Sequence, residues 1–254
     1  ADVEYIRGAD IKPDDVAYAD ALIVRTRTRC DRHLLEGSRV EFVATATIGI
    51  DHLDTEWLDE AGIHWVNCPG CNASSVGQYV ETSLMRLGIT SGAVVGIVGC
   101  GHVGKEVEIV CERLGLKTII NDPYIDDHSY VSLEEVVKHS DVITFHVPLT
   151  YKGEYPTYKM ADRRFFDMLS DRERPLECII NTCRGGVIDE QALLDAMDAG
   201  IVKRAVIDTW ENEPDINRRL LERADIATPH IAGYSADGKV KADNMVIDAL
   251  CSHF

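Results

Sequence analysis

Toward the C-terminal end of the chain, three kinds of side chain suited to proton chemistry, a guanidinium, carboxylates and an imidazole, follow one another. Arg184 lies in "INTCRGG", Asp208, Glu211 and Glu213 lie in "IDTWENEPD", and His230 lies in "TPHIAGYS". Each group follows a short apolar run ("CIINT", "RAVID", "DIAT") that reads as a strand. A guanidinium offers a planar pair of donors to a carboxylate. An imidazole moves protons near neutral pH, with its tautomer fixed by whatever its other nitrogen meets. Taken alone, a histidine in an apolar stretch is most often a packing residue, Arg184 could be a surface ion pair, and Glu213 could be a solvated loop carboxylate. Three successive strand ends on the ligand-binding edge of one α/β sheet would bring them together, and that convergence singles out His230.

A second constellation lies upstream, in "VVGIVGCGHVGKEVEIVCERLGLKTIINDP". Gly99, Cys100, Gly101, His102, Val103 and Gly104 form a G-x-G-x-x-G that follows a strand, opens a helix and precedes a second strand ending at Asp122. That context is what a dinucleotide site requires. Gly99 suits a tight turn, Gly101 lets backbone approach a pyrophosphate, and Gly104 lets the helix pack close to its strand. His102 and Val103 complete the loop. Asp122 can accept both hydroxyls of an adenosine ribose and would repel a 2'-phosphate, so NAD is expected rather than NADP.

The elements that must position these groups are legible from hydropathy. Candidate strands are "VEYI", "ALIVRT", "FVATAT" and "HWVN", then "VVGIVG", "TIIN", "DVITFHV", "CIINT", "RAVID" and "DIAT". Continuous apolar strands alternating with helical patterns imply an α/β fold of two doubly wound parallel-sheet domains. Between the groups, Val76, Tyr79, Val80, Ser83, Leu84 and Leu87 recur at helical spacing, which predicts a linking helix over Asn72 to Gly88. Ser132 and Glu135 have the spacing of a capping box.

Composition narrows the function classes. With 254 residues and a formal net charge of -17, the chain argues against nucleic acid or an anionic membrane surface as main partner. No apolar run reaches the roughly 20 residues needed to span a bilayer, and the opening "ADVEYIRGAD" has no signal-peptide pattern. A cytoplasmic protein is expected. The eight cysteines sit mostly in apolar runs, and "CPGC" (Cys68 to Cys71) lacks the second motif of a metal or redox site. No metal is expected.

The order of G-x-G-x-x-G, N-x-x-R-G, D-x-W-E-x-E-P and T-P-H-I-A-G resembles the D-isomer-specific 2-hydroxyacid dehydrogenases, over nearly the whole chain. The resemblance implies a flavodoxin-like substrate domain, residues 1–75 with 231–254, and an inserted Rossmann NAD-binding domain, residues 76–230. It implies that Arg184 holds the substrate carboxylate and polarises the C2 oxygen. His230 would take the hydroxyl proton as hydride leaves C2 for the nicotinamide. Glu213, chosen over Glu211 because it stands directly before Pro214, would fix the imidazole. Val147 (through its main chain), Thr182, Cys183, Arg184, Asp208 and Gly233 are implied beside the cofactor.

The flanking details "PGCNASSVGQYV", "FVATATIGIDHLD", "TFHVPLT" and "PHIAGYSADGK" are similar to a branch of that family in bacterial vitamin B6 biosynthesis. Its substrate is a phosphorylated four-carbon hydroxy acid. In so acidic a chain the phosphate needs a local basic cluster, and "VRTRTR" supplies Arg25, Arg27 and Arg29. Strand alternation there would put the arginines on one side and the threonines on the other, with Arg25 or Arg27 as the phosphate contact. Thr26, Thr47 and Tyr234 are further substrate contacts implied by the resemblance. Other expectations remain open: a dehydrogenase for phosphoglycerate, glycerate or lactate, or a non-catalytic NAD-sensing module, against which the joint retention of Arg184, Glu213 and His230 counts. The resemblance also implies a preceding strand and helix and a C-terminal dimerisation region beyond this sequence, so a homodimer and a longer protein are expected.

Overall fold

The computed structural model describes residues 2–254. The chain folds as two compact units, Ala1–Asn72 with Ser235–Phe254, and Ala73–Tyr234.

The first unit runs α1 (Pro13–Val16), β1 (Ala21–Val24), α2 (Arg32–Leu35), β2 (Phe42–Thr45), α3 (Thr55–Glu60) and β3 (His64–Val66). Its strands pair in parallel in the order β1-β2-β3. Alternation along β2 divides its side chains between two cores: Val43 packs with Leu34, Leu35 and Leu58, whereas Phe42 and Ala44 pack with Cys68, Ala242 and Val246. Two expectations fail here. "VEYI" forms no strand, so this unit has three strands where four were expected. "VRTRTR" does not alternate either. β1 ends at Val24, and the next residues form a turn in which Thr28 N donates to the Arg25 carbonyl. The buried Thr28 hydroxyl then bonds the Gly8 carbonyl.

The second unit contains α4 (Ala73–Arg86), β4 (Val94–Val98), α5 (His102–Arg113), β5 (Lys117–Asn121), α6 (Leu133–His139), β6 (Val142–Phe145), α7 (Arg163–Ser170), β7 (Cys178–Asn181), α8 (Glu190–Asp198), β8 (Ala205–Ile207), α9 (Arg218–Arg223) and β9 (Ile226–Ala227). The final helix α10 (Ala236–His253) returns to the first unit. All six strands are parallel, in the order β5-β4-β6-β7-β8-β9. Strand order reverses between β4 and β6, which makes the carboxyl ends of those strands a ligand crevice.

Both faces of this sheet are covered, which is why its strands read as unbroken apolar runs. On β7, Ile179 joins one core with Phe145, Phe165 and Leu193. Cys178 and Ile180 join the other, with Val80, Leu84, Val107 and Cys111. Full burial of each such aliphatic side chain contributes about 1.5–3 kcal/mol. The linking helix forms as α4, and Ser132 caps α6 by accepting from Glu135 N. The Glu135 carboxylate turns instead to His139, so only half of the capping box is made. Among the described residues no helix is long and apolar enough to cross a membrane.

Candidate active site

The neighbouring strands β7, β8 and β9 are parallel, and strands in a sheet lie about 4.8 Å apart, so their carboxyl ends fall within side-chain reach of one another. Arg184 leaves the turn after β7, Glu213 the segment after β8, and His230 the segment after β9. All three line one open pocket of about 320 Å³, together with Leu149, Tyr151, Tyr158 and Trp210. His230 therefore faces this pocket.

Glu213 accepts a hydrogen bond from the Nδ1 side of His230 at 2.9 Å through Oε2. Its Oε1 accepts from Trp210 N at 2.8 Å. With Nδ1–H facing a carboxylate, the neutral imidazole carries its lone pair on Nε2, which suits a base. The carboxylate is itself immobilised by the Trp210 amide. Glu211, also in the pocket lining, makes no such bond to His230 and instead lies 3.8 Å from the Lys159 ammonium.

Backbone geometry at the site is unusual. The described residues other than glycine with positive φ are Lys159 (51°), Asn212 (62°) and His230 (55°), and two of them line the pocket. Left-handed backbone at a residue with a Cβ costs about 1–2 kcal/mol, so surrounding bonds must hold it. At His230 the holder is Asp208, which is fully buried. Its carbonyl accepts from His230 N at 2.8 Å. Its carboxylate accepts from the Thr228 hydroxyl and from Ile231 N and Ala232 N. Trp210 Nε1 donates to the Thr228 carbonyl, and Tyr79 bonds the Thr228 hydroxyl. Sequence reasoning placed Asp208 beside the cofactor but missed this scaffold. Pairing of β8 with β9 creates it, and the spacing of Asp208 from Glu211 carries no trace of it.

The Arg184 turn is held by Asn181, whose amide donates to the Arg184 carbonyl at 2.9 Å and accepts from Cys183 N at 3.1 Å. Arg184 Nη1 donates to the Cys183 carbonyl. Burial pushes the Cys183 thiol up to about 11, so it stays protonated and inert.

At the sheet's reversal point, a Cβ on Gly99 (φ +89°) would lie 2.7 Å from the His146 carbonyl oxygen and from the Val147 side chain, and one on Gly104 would collide with the Gly99 carbonyl. The loop is thus packed closely against the end of β6. At Gly101 a Cβ would meet nothing within 4 Å, and His102, which opens α5, is exposed. This open ground beside free helix-terminal amides fits a pyrophosphate. Asp122 accepts from Cys100 N at 2.8 Å and from Tyr124 N at 3.1 Å. Each carboxylate oxygen keeps a further lone pair for a ribose hydroxyl. The buried Thr182 hydroxyl and His146 Nδ1 have no partner among the described residues, and a polar ligand at these strand ends would satisfy such groups. Gly233 lies in a turn closed by Tyr234 N and the Ile231 carbonyl.

Burial pushes the His146 imidazole down to about 3. The unfolded chain binds a proton near the ordinary value of 6.5 that the folded chain refuses. Stability from this group is therefore complete above about pH 6.5 and is lost as pH falls from there toward 3. A His146→Gln variant is expected to lose less Tm than the parent between about pH 7 and about pH 5 in differential scanning fluorimetry.

The proposed substrate contacts are distributed differently. Tyr234, exposed, ends the second unit. Arg25, Thr26 and Thr47 belong to the first unit. There Arg25 pairs with Asp243 at 2.6 Å and Arg29 with Asp31 at 2.8 Å, while Thr26 and Arg27 are exposed. The Thr47 hydroxyl bonds the Gly49 carbonyl and the Thr45 hydroxyl, which in turn meets His52. The cysteines, Cys68 and Cys71 included, are free, and among the described residues no cluster of acidic, histidine or cysteine side chains is arranged to hold a metal ion. The pocket's tyrosines were not anticipated, although "YKGEYPTY", in the loop after β6, is an aromatic-rich signal.

Residues 73–232 match the family model for the D-isomer specific 2-hydroxyacid dehydrogenase NAD binding domain. Over 262 residues the chain is 50% identical to an erythronate-4-phosphate dehydrogenase of Bacteroides fragilis, covering 100% of this chain and 74% of that one. A protein of the same name from Escherichia coli is 42% identical over 257 residues, 98% of this chain and 67% of its own. Among solved structures, NAD+-bound 3-phosphoglycerate dehydrogenase of Entamoeba histolytica superposes with a TM-score of 0.78 at 26% identity, over 97% of this chain and 82% of that one. The D-lactate dehydrogenase of Aquifex aeolicus, complexed with NAD and lactic acid, shares the fold with a TM-score of 0.76 at 23% identity, over 96% of this chain and 86% of its own.

Proposed function

The chain belongs to the D-isomer specific 2-hydroxyacid dehydrogenases, NAD-dependent oxidoreductases, and we propose that its substrate is 4-phospho-D-erythronate, oxidised to 3-hydroxy-2-oxo-4-phosphonooxybutanoate on the way to pyridoxal phosphate. The observation that carries the reading is the Glu213–His230 bond of 2.9 Å in the pocket that Arg184 also lines. NAD, when bound, supplies the hydride acceptor. Gly99, Gly101, His102, Val103, Gly104 and Asp122 would hold its adenosine and pyrophosphate, and Val147, Thr182, Cys183, Asp208 and Gly233 its nicotinamide half.

Arg184 binds the carboxylate of the hydroxy acid and orients its C2 oxygen, a task for a rigid planar fork. His230 Nε2 accepts the C2 hydroxyl proton. Glu213 keeps Nδ1 protonated throughout and stabilises the imidazolium that results. The phosphate is met by Arg25 or Arg27, with Thr26, Thr47 and Tyr234 contacting the rest of the substrate. Arg25 would have to share its guanidinium with Asp243, whereas Arg27 is exposed. A homodimer and a cytoplasmic location complete the reading.

The test is NADH formation with a panel of acids. The reading expects kcat/KM for 4-phospho-D-erythronate to exceed that for 3-phosphoglycerate, glycerate and lactate, and expects Arg25→Ala or Arg27→Ala to raise KM for the phosphorylated acid. Preference for another acid would replace the substrate, and tight NAD binding with no NADH from any of them would point to a non-catalytic module.

Cofactor choice gives a second check. In Asp122→Ala the ribose loses a charged acceptor, a contact of about 1.5–3 kcal/mol, so KM for NAD is expected to rise about ten- to hundredfold. KM for NADP should rise less, since its 2'-phosphate no longer faces a carboxylate. Steady-state kinetics with both cofactors measure the ratio.

A further inference from the structure

Glu190 is a carboxylate at the start of α8 and yet only 6% exposed. Capping does not explain it, because Asp189 already caps α8 by accepting from Gln191 N and Ala192 N. Carboxylates are buried at a penalty unless something specific engages them. Glu190 Oε1 accepts from Glu211 N at 2.7 Å.

That bond falls in a crowded place. The preceding amide, Trp210 N, donates to Glu213 Oε1, so two consecutive amides are each tied to a carboxylate, one three residues further along the same segment and one on α8. From the other side Gly185 abuts the same peptide, since a Cβ there would collide with the Trp210 carbonyl and the Glu211 nitrogen. The turn carrying Arg184 and the segment carrying Glu213 therefore share one wall. Lys159 adds a second tie: its ammonium lies 3.2 Å from Asp189 and 3.8 Å from Glu211, while its backbone N donates to the Gly186 carbonyl. Burial pushes the Glu190 carboxyl above the usual range, opposed by the bond from the Glu211 amide and reinforced by the charges of Glu211 and Asp189.

We propose that Glu190 is a positioning residue: by fixing the Glu211 amide it keeps Glu213 aligned on His230 and in register with the Arg184 turn. The inference rests on the reading of Arg184, Glu213 and His230 as the reacting groups. A residue that merely stabilised α8 would lower Tm and leave the imidazole undisturbed. A residue that aligns Glu213 also governs which imidazole nitrogen of His230 carries the hydrogen.

The experiment reads the tautomer of His230 by nitrogen-15 NMR of the histidine-labelled full chain at about pH 9, where imidazoles are neutral, with the resonances assigned by their loss in His230→Asn. In the parent the Nδ1–H form should predominate, because Glu213 accepts at Nδ1. Glu213→Ala removes that acceptor and should shift the balance toward the Nε2–H form. Glu190→Ala should shift it the same way. Glu190→Gln, which keeps an acceptor for Glu211 N, should restore the parent balance. In the Glu213→Ala background Glu190→Ala should shift it no further, the sign of coupled positions. If Glu190→Ala does not fold, Glu190→Asp, whose shorter side chain withdraws the acceptor, should give the same shift. A folded Glu190→Ala or Glu190→Asp variant with the parent balance would overturn the proposal. The readout needs no turnover, so a chain inactive on every hydroxy acid would count against the proposed function and leave the tautomer balance to decide the role of Glu190.

Discussion

Replacing His230 by asparagine is expected to lower kcat by between about 10²- and 10⁴-fold, with NAD affinity, read by fluorescence titration, little changed. Asparagine is the informative substitution because it tolerates left-handed backbone better than most residues, and His230 has φ of 55°. The variant therefore removes the basic nitrogen without adding backbone strain. Glu213 occupies Nδ1, which leaves Nε2 as the imidazole's proton acceptor. The loss should appear equally in kcat and kcat/KM, since it removes an interaction made as the proton moves. Were His230 a packing residue, the loss would appear in Tm instead. Its side chain is 46% exposed, so stability should shift by no more than about 0.5 kcal/mol. A variant that keeps parental kcat would exclude His230 as the base.

Gly185→Ala is the second large effect, and it acts without removing any functional group. The added methyl group has no space, because backbone atoms of Trp210 and Glu211 occupy it. Backbone cannot step aside as a flexible side chain can, so the Arg184 turn and the Glu213 segment must separate. Displacements near 1 Å in a reacting constellation lower rates by about 100-fold, and kcat/KM is expected to fall at least that far. Overpacking should also lower stability by about 1–3 kcal/mol. The neighbouring Gly186→Ala provides the contrast in a melting experiment. The nearest atoms to a Cβ there are side-chain carbons of Leu149 and Tyr158 at 3.4 Å, so its Tm loss should be clearly smaller. Equal Tm losses in the two variants would show that the shared wall is not rigid.

Much of the second unit was legible because its strands are buried on both faces and read as unbroken apolar runs, from Val94–Val98 to Cys178–Asn181. Strand ends in a parallel sheet share an edge, so the meeting of Arg184, Glu213 and His230 in one pocket follows from strand order alone. The failures have equally local causes. "VEYI" has strand-like composition but gains no strand partner, and composition cannot report pairing. "VRTRTR" alternates in sequence, yet Thr28 finds the Gly8 carbonyl and the chain turns. Glu190 and Lys159 were invisible because their significance lies in backbone atoms of distant segments, the Glu211 amide and the Gly186 carbonyl. A carboxylate opening a helix is ordinary in sequence. Only its burial marks it.

The return of α10 to the first unit sets a timetable for synthesis. Phe42, Ala44 and Cys68 are covered by Ala242 and Val246, which emerge from the ribosome only after the whole of Ala73–Tyr234. At about 5–20 residues per second, one face of the early β-sheet stays bare for roughly 10–35 s while the later unit can already fold. That interval is when the nascent chain most needs a chaperone, and slowing translation beyond residue 72 should enlarge its aggregated fraction.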